Sequence, residues 1–130
     1  MIVLLDTHAW LWWVTDDVRL GNVARAIIED ASNTILLSIA SAWEIAIKQS
    51  LGRLRTGDSP ETLIPRLLEE SQTGLLAIEL RHALKVASLP HHHRDPFDRL
   101  LVAQALEEGF PLLTADDALR RYGVVILPAR

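Results

Sequence analysis

Four acidic side chains, Asp6, Glu44, Asp98 and Asp116, lie far apart in this sequence but could meet at one end of a folded sheet. Asp6 ends the apolar run Ile2-Val3-Leu4-Leu5, and Asp116 follows the run from Pro111 to Thr114. In an open parallel sheet, ligands gather just beyond the carboxyl ends of the strands, near the point where strand order reverses. Carboxylates crowded there repel one another unless a counter-ion holds them. Oxygen ligands select hard divalent cations such as Mg²⁺ or Mn²⁺. Such ions activate water and stabilise charge on a phosphodiester, so the reaction class that fits is phosphodiester hydrolysis. The inference is conditional on the four side chains converging.

Each acid also has a plainer use. Asp6 can form a turn or a cap with Thr7. Thr114, Asp116 and Asp117 can cap the helix that follows them. Glu44 lies at the edge of the apolar arc of Ile39, Trp43 and Ile47. Lys48, four residues on, is in the favoured orientation for a surface ion pair, and taken alone Glu44 reads as its solvated partner. Asp98 is the most informative. On a helix over 97–108, Phe97, Leu101, Val102, Ala105 and Leu106 fill one half of the circumference. Arg99, Leu100, Ala103, Gln104 and Glu107 fill the other, and Asp98 falls within the apolar half. A carboxylate on a buried face is costly unless it is paired, hydrogen-bonded or metal-bound, although the helix N-terminus favours an anion there. The competing reading pairs Asp98 with Arg94 or Arg99.

The elements that must position these residues are legible as alternation. Short continuous apolar runs at 2–5, 34–37, 75–80, 111–114 and 124–127 suit strands buried on both faces. Helical patterns lie between them at 22–31, 39–51, 60–72, 81–88, 97–108 and 116–121. Segment 8–20 is less regular, and its tryptophans could begin a short helix. This order reads as βαβ units and a doubly wound sheet. Asp95-Pro96 is a helix start, with a capping acid before a proline at the first helical position. Gly109 and Pro111 close the same helix. Gly52, Gly57, Asp58, Ser59 and Pro60 mark a loop and the next helix start.

With 130 residues, 49% of them hydrophobic, the chain suits one compact α/β domain over 1–130. Cysteine is absent, which removes disulfides and thiolate metal sites and fits a reducing cytoplasm. The N-terminus lacks the basic start of a signal peptide, and no apolar stretch is long enough to cross a bilayer. The net charge of −4 weakly opposes nucleic-acid binding. Acids that hold a divalent ion lower the formal charge while being neutralised in use, so the sign does not decide.

Other features have two readings. His91-His92-His93 invites a metal reading, but three consecutive side chains cannot easily face one ion, and a solvated loop after Pro90 is favoured. Its functional alternative is contact with the phosphodiester substrate, because the loop leads into the helix of Asp98. His8 could touch substrate or belong to a helix start. Trp10, Trp12 and Trp13 suit core packing, yet a helix there should turn at least one of them outward, toward a partner surface or a base. Arg53, Arg55, Arg66, Arg94, Arg99, Arg120 and Arg121 are candidate phosphate contacts, with Arg94 and Arg99 nearest the acids.

The segments LLDTHAWLWW, SIASAWEIAIK, HRDPFDRLLVAQA and LLTADDAL, in this order and spacing, closely resemble PIN domains, and more narrowly VapC-type toxins of toxin–antitoxin pairs. The resemblance spans nearly the whole chain, and HRDPFDRLLVAQA is its most specific piece. It implies a three-layer α/β/α sandwich with a mostly parallel sheet of four to five strands. It implies an Mg²⁺- or Mn²⁺-dependent endoribonuclease that leaves a 5′-phosphate and a 3′-hydroxyl. Asp6 and Asp98 would be direct metal ligands, with Glu44 and Asp116 completing the site directly or through water. Thr114 would orient water or a carboxylate, Asp117 is a possible substitute for Asp116, and Arg94, Arg99, His8, His93 and Lys48 are RNA-contact candidates. A homodimer and a cognate antitoxin that blocks the site also follow from the resemblance.

Rival classes fit less well. A phosphoryl-accepting receiver domain needs paired acids at the first strand end and a lysine at the fifth, whereas Leu5-Asp6-Thr7 has one acid and 124–130 has no lysine. A haloacid-dehalogenase-type phosphatase needs a second aspartate where His8 stands. A structure-specific DNA nuclease and a catalytically silent binding module of the same fold stay open.

Overall fold

The computed structural model describes residues 1–52 and 58–130, so Arg53, Arg55 and Gly57 lie outside the described residues. The apolar runs form strands β1 (Ile2–Leu5), β2 (Thr34–Ser38), β3 (Gly74–Leu76), β4 (Leu112–Thr114) and β5 (Ile126–Pro128). All pair in parallel, in the order β3-β2-β1-β4-β5. The chain winds outward from β1 in one direction and then returns to wind outward in the other. The reversal therefore lies between β1 and β4, where Leu5 sits opposite Leu113.

Strand residues alternate between faces, and the two faces are covered by different helices. Val3, Leu5, Ile35, Leu37 and Leu113 pack under α1 (Thr7–Val14), α2 (Asn22–Glu29), α3 (Ile39–Ser50) and α4 (Pro60–Glu70), through Trp10, Ala24, Ile45 and Ile64. Leu4, Leu112 and Ile126 pack under α5 (Leu80–Ser88), α6 (Pro96–Glu108) and a 3₁₀ helix at Asp117–Tyr122, through Val86, Leu101, Val102 and Leu119. The result is the three-layer α/β/α sandwich, with a sheet that is parallel throughout.

Local departures from the sequence reading have physical causes. The run 75–80 yields only a three-residue strand, because Glu79 and Leu80 begin α5. There the Glu79 N–H donates to His82 Nδ1 at 3.0 Å, closing a reciprocal cap. The irregular segment after Asp6 is a helix at once. Its tryptophans face inward more than expected: Trp10 is fully buried and donates to Thr73 Oγ1, Trp12 is buried, and Trp13 is half-buried. The exposed tryptophan is Trp43.

Helix α6 corrects a second expectation. A two-sided wheel puts Arg99, Ala103 and Gln104 on a polar arc, but all three are buried. The helix packs against α5, α3 and β4 together, so it is covered nearly all round. Gly109, at φ 73°, takes the left-handed conformation that ends it. The Arg99 guanidinium turns inward and donates to the carbonyls of Pro90 (2.8 Å) and Val86 (3.1 Å) and to Tyr122 Oη (3.1 Å). It thereby anchors the start of the loop that carries the three histidines. Arg99→Met should lower stability by roughly 2–4 kcal/mol, since buried carbonyls lose their donor, and urea denaturation checks this.

Candidate functional site

Asp6, Glu44, Asp98 and Asp116 are brought to the carboxyl end of the sheet, beside the reversal between β1 and β4. Two of them divide their oxygens between structure and site. Asp6 directly follows β1 and caps α1, accepting from the Ala9 N–H through Oδ1 at 2.8 Å. Its Oδ2 accepts from the Thr114 hydroxyl at the end of β4, a bond across the reversal. Asp116 caps the 3₁₀ helix, accepting from the Ala118 N–H through Oδ1 at 3.1 Å. Its Oδ2 faces inward, toward His93. The Asp116 N–H donates to Thr114 Oγ1 at 3.0 Å, so one threonine joins both acids. For Asp116 the cap and the site are therefore not alternatives.

Asp98 reaches the site because another acid relieves it of capping. Asp95 caps α6, accepting from the N–H groups of Phe97 (2.8 Å) and Asp98 (3.2 Å). The Asp98 side chain is 27% exposed and lies outside the apolar core. Neither Arg94 nor Arg99 pairs with it among the described residues; its neighbour is His93 Nε2 at 2.9 Å. Glu44 does pair with Lys48 at 2.9 Å, as its spacing predicts. It is nonetheless buried, and it accepts from the Thr7 hydroxyl at 2.6 Å. That same hydroxyl lies 2.9 Å from Ser41 Oγ. Asp95 caps α6 as its place before Pro96 predicts; Thr7 and Ser41 were missed as positioning residues, and a hydroxyl next to the first acid was the available signal.

The electrostatics record the crowding. Burial pushes the Asp6 carboxyl above its ordinary range, against the Thr114 and Ala9 hydrogen bonds, and Glu44 adds to the rise. Burial, then the neighbouring Asp95 charge, raises Asp98 to about 7; Asp6 and Glu44 add to this and His93 opposes it. Asp6, Glu44 and Asp98 thus lie within one another's charge field. The ligand atoms of His93, Asp98 and Asp116 lie within 4.8 Å of one another. Carboxylate oxygens that resist ionisation because of their neighbours fit a hard divalent cation.

Other candidates separate. His8 and Arg94 are exposed. Asp117 points outward and pairs with Arg120. Arg66 pairs with Asp58 and Glu70, and Arg121 is exposed. His91 is exposed, and His92 lies 5.1 Å from the Tyr122 ring. Arg99 is interior, as described, and presents no donor outward. The exposed Trp43, next to Glu44, meets the half-buried Phe97, next to Asp98, edge to face at 5.3 Å; this aromatic pair was not singled out from sequence.

A doubly wound parallel sheet with acids clustered at its reversal point defines a class of α/β proteins whose site lies at the strand ends. The family model of the PIN domain matches residues 3–125, and the chain belongs to this family. Within it, the chain is similar to VapC ribonucleases. It is 32% identical to Ribonuclease VapC22 of Mycobacterium tuberculosis over 121 residues, 92% of this chain and 91% of that one. It is 41% identical to Ribonuclease VapC16 of the same organism over 61 residues, 47% of this chain and 43% of that one. Two solved structures share its fold. VapBC2 from Rickettsia felis, bound to a promoter DNA fragment, matches with TM-score 0.74 and 14% identity over 100% of both chains. DNA-bound VapBC from Salmonella typhimurium matches with TM-score 0.73 and 14% identity over 100% of this chain and 99% of that one.

The raised Asp98 has a stability consequence. Between its usual value of 3.8 and about 7, the folded protein keeps a proton that the unfolded chain releases. Metal-free stability should therefore fall as pH rises through that window. Asp98→Asn should flatten the fall and stabilise the protein by roughly 1–2 kcal/mol at pH 8 in chelator, measured by chemical denaturation across pH.

Proposed function

We propose that this protein is a metal-dependent endoribonuclease and the toxin of a toxin–antitoxin pair. The observation that carries the reading is the gathering of Asp6, Glu44, Asp98 and Asp116 beside the β1–β4 reversal, where burial above all opposes the ionisation of Asp6 and Asp98. The VapC ribonucleases among its relatives and the toxin–antitoxin complexes among its structural neighbours support it.

Asp6 and Asp98 would hold an Mg²⁺ or Mn²⁺ ion, and Glu44 and Asp116 would complete its site. When bound, a divalent ion supplies Lewis acidity toward the phosphodiester and lowers the pKa of water. The chain's own groups prepare that chemistry. Thr114 holds Asp6 and the backbone of Asp116 in one arrangement across the reversal. Thr7 and Lys48 hold Glu44, which leaves little freedom to lose when an ion arrives. Arg94 and His8, both exposed, contact backbone phosphates at the rim. The Trp43–Phe97 pair flanks two of the acids and offers an exposed aromatic face on which a base stacks.

The whole of 1–130 acts as one nuclease domain, working as a homodimer in the cytoplasm. An antitoxin that covers the strand-end site silences it. No helix among the described residues is long and apolar enough to cross a membrane.

Asp6→Asn and, independently, Asp98→Asn should reduce RNA cleavage by at least about 100-fold while the circular-dichroism spectrum is unchanged. EDTA should stop cleavage by the intact protein, and excess Mn²⁺ should restore it. Undiminished activity in EDTA, or cleavage of DNA in place of RNA, overturns the reading. Trp43→Ala should weaken binding of single-stranded RNA by about 1–3 kcal/mol per stacked base, read by fluorescence titration. A shift from dimer to monomer in that variant would instead assign the aromatic pair to the subunit contact.

A further inference from the structure

Of the three consecutive histidines, one is set apart. His93 Nε2 lies 2.9 Å from Asp98 Oδ2 and 3.2 Å from Asp116 Oδ2. Its other ring nitrogen, Nδ1, accepts the Arg94 N–H at 3.1 Å. A neutral ring with Nδ1 engaged as acceptor carries its proton on Nε2. In that form Nε2 is a donor toward the carboxylates and has no lone pair to give an ion. Nε2 is also shut off from solvent without a well-aligned hydrogen bond, because it sits between two acceptors and is not aimed squarely at either. A shared, poorly directed N–H contact of this kind is weaker than a well-aligned structural hydrogen bond and is easily given up.

We propose that His93 fills the seat between Asp98 and Asp116 that a divalent ion takes, so that metal entry must displace the imidazole. The proposal rests on the metal-dependent reading above and adds a regulator to it. In the metal-free protein the repulsion among the acids is then offset by two resident side chains, Lys48 at Glu44 and His93 at Asp98 and Asp116. The two differ in what an ion must do. Lys48 joins Glu44 from the next turn of α3 and stays when the site is filled. His93 stands between the ligand oxygens themselves and leaves. Its loop suits that movement. Arg99 ties down the Pro90 carbonyl, whereas the His93 side chain is 31% exposed. Metal occupancy is thereby set by a competition between ion and imidazole, and the site rests in a closed, inactive arrangement when divalent metal is scarce.

Mn²⁺ binding to the full chain, followed at one fixed pH by the electron paramagnetic resonance of the free ion, tests this on wild type, His93→Ala, His93→Gln and Asp6→Asn. His93→Ala should bind Mn²⁺ about two- to fivefold more tightly than wild type, the scale of one weak hydrogen-bonding contact removed. His93→Gln, which keeps a donor of shorter reach, should fall between, and Asp6→Asn should bind more weakly. Thermal unfolding gives a second readout. His93→Ala should melt lower than wild type in chelator and gain more from saturating Mn²⁺. Equal losses with and without Mn²⁺ would assign His93 a merely structural role and overturn the proposal. Unchanged or weaker Mn²⁺ binding in His93→Ala would overturn it too. So would a nitrogen coupling to bound Mn²⁺ in wild type that disappears in His93→Ala, because His93 would then be a ligand. If no form binds Mn²⁺, the metal-dependent reading itself falls, an outcome distinct from the others.

Discussion

Repulsion among carboxylates at the carboxyl edge of the sheet is the constraint around which this structure is arranged. A folded protein of this size is stable by only a few kcal/mol net, and clustered acids work against that margin. The chain offsets the repulsion locally. Asp6, Asp95 and Asp116 each begin a helix, where unpaired N–H groups and the positive end of the helix favour an anion. Thr7 and Thr114 donate hydroxyls to Glu44 and Asp6. Lys48 and His93 bring basic groups. With these contacts in place the acids stay together, yet Asp6 and Asp98 keep pKa values raised by burial, so the site is primed for a cation.

The division of labour within single carboxylates makes this arrangement compact. One oxygen of Asp6 and one of Asp116 satisfy helix N-termini, and the second oxygen of each faces the site. A side chain held by a helix cap has few rotamers left, which pre-organises it for ligation. Asp98 follows a different plan. Asp95 takes the capping duty, and Asp98, in the first turn of α6, is left to face His93. The parallel sheet makes this possible, because β1 and β4 end side by side and deliver Asp6 and Thr114 to the same edge.

The buried arginine shows how far the surroundings of the site extend. Arg99 lies beside Asp98 in sequence, yet it points away from the acids and binds carbonyls of the α5–α6 connection. It thus fixes the root of the histidine loop and leaves the acids without an arginine partner among the described residues. An arginine turned toward Asp98 would have satisfied the carboxylate permanently and removed its affinity for a metal.

Much of this was readable in the sequence, for reasons tied to particular residues. Continuous apolar runs specify strands buried on both faces, and Asp95-Pro96 and Gly109 specify the ends of α6, because capping and backbone preference are local properties. Asp6 could be placed at a strand end for the same reason. Local pattern failed where burial depends on what packs from several sides. The wheel of α6 misplaced Arg99 and Gln104, since a helix covered by α5, α3 and β4 has no single polar face. The fate of Glu44, both paired with Lys48 and buried against Thr7, needed the contact between α1 and α3. The place of His93 between two acids from different elements depends on strand order and on the path of a loop. The sequence alone determined which segments form strands and helices and which acids end them, because those are short-range energies. Only the tertiary structure decided which side chains share a charge field, because that depends on distances between segments up to a hundred residues apart along the chain, as with Asp6 and Thr114.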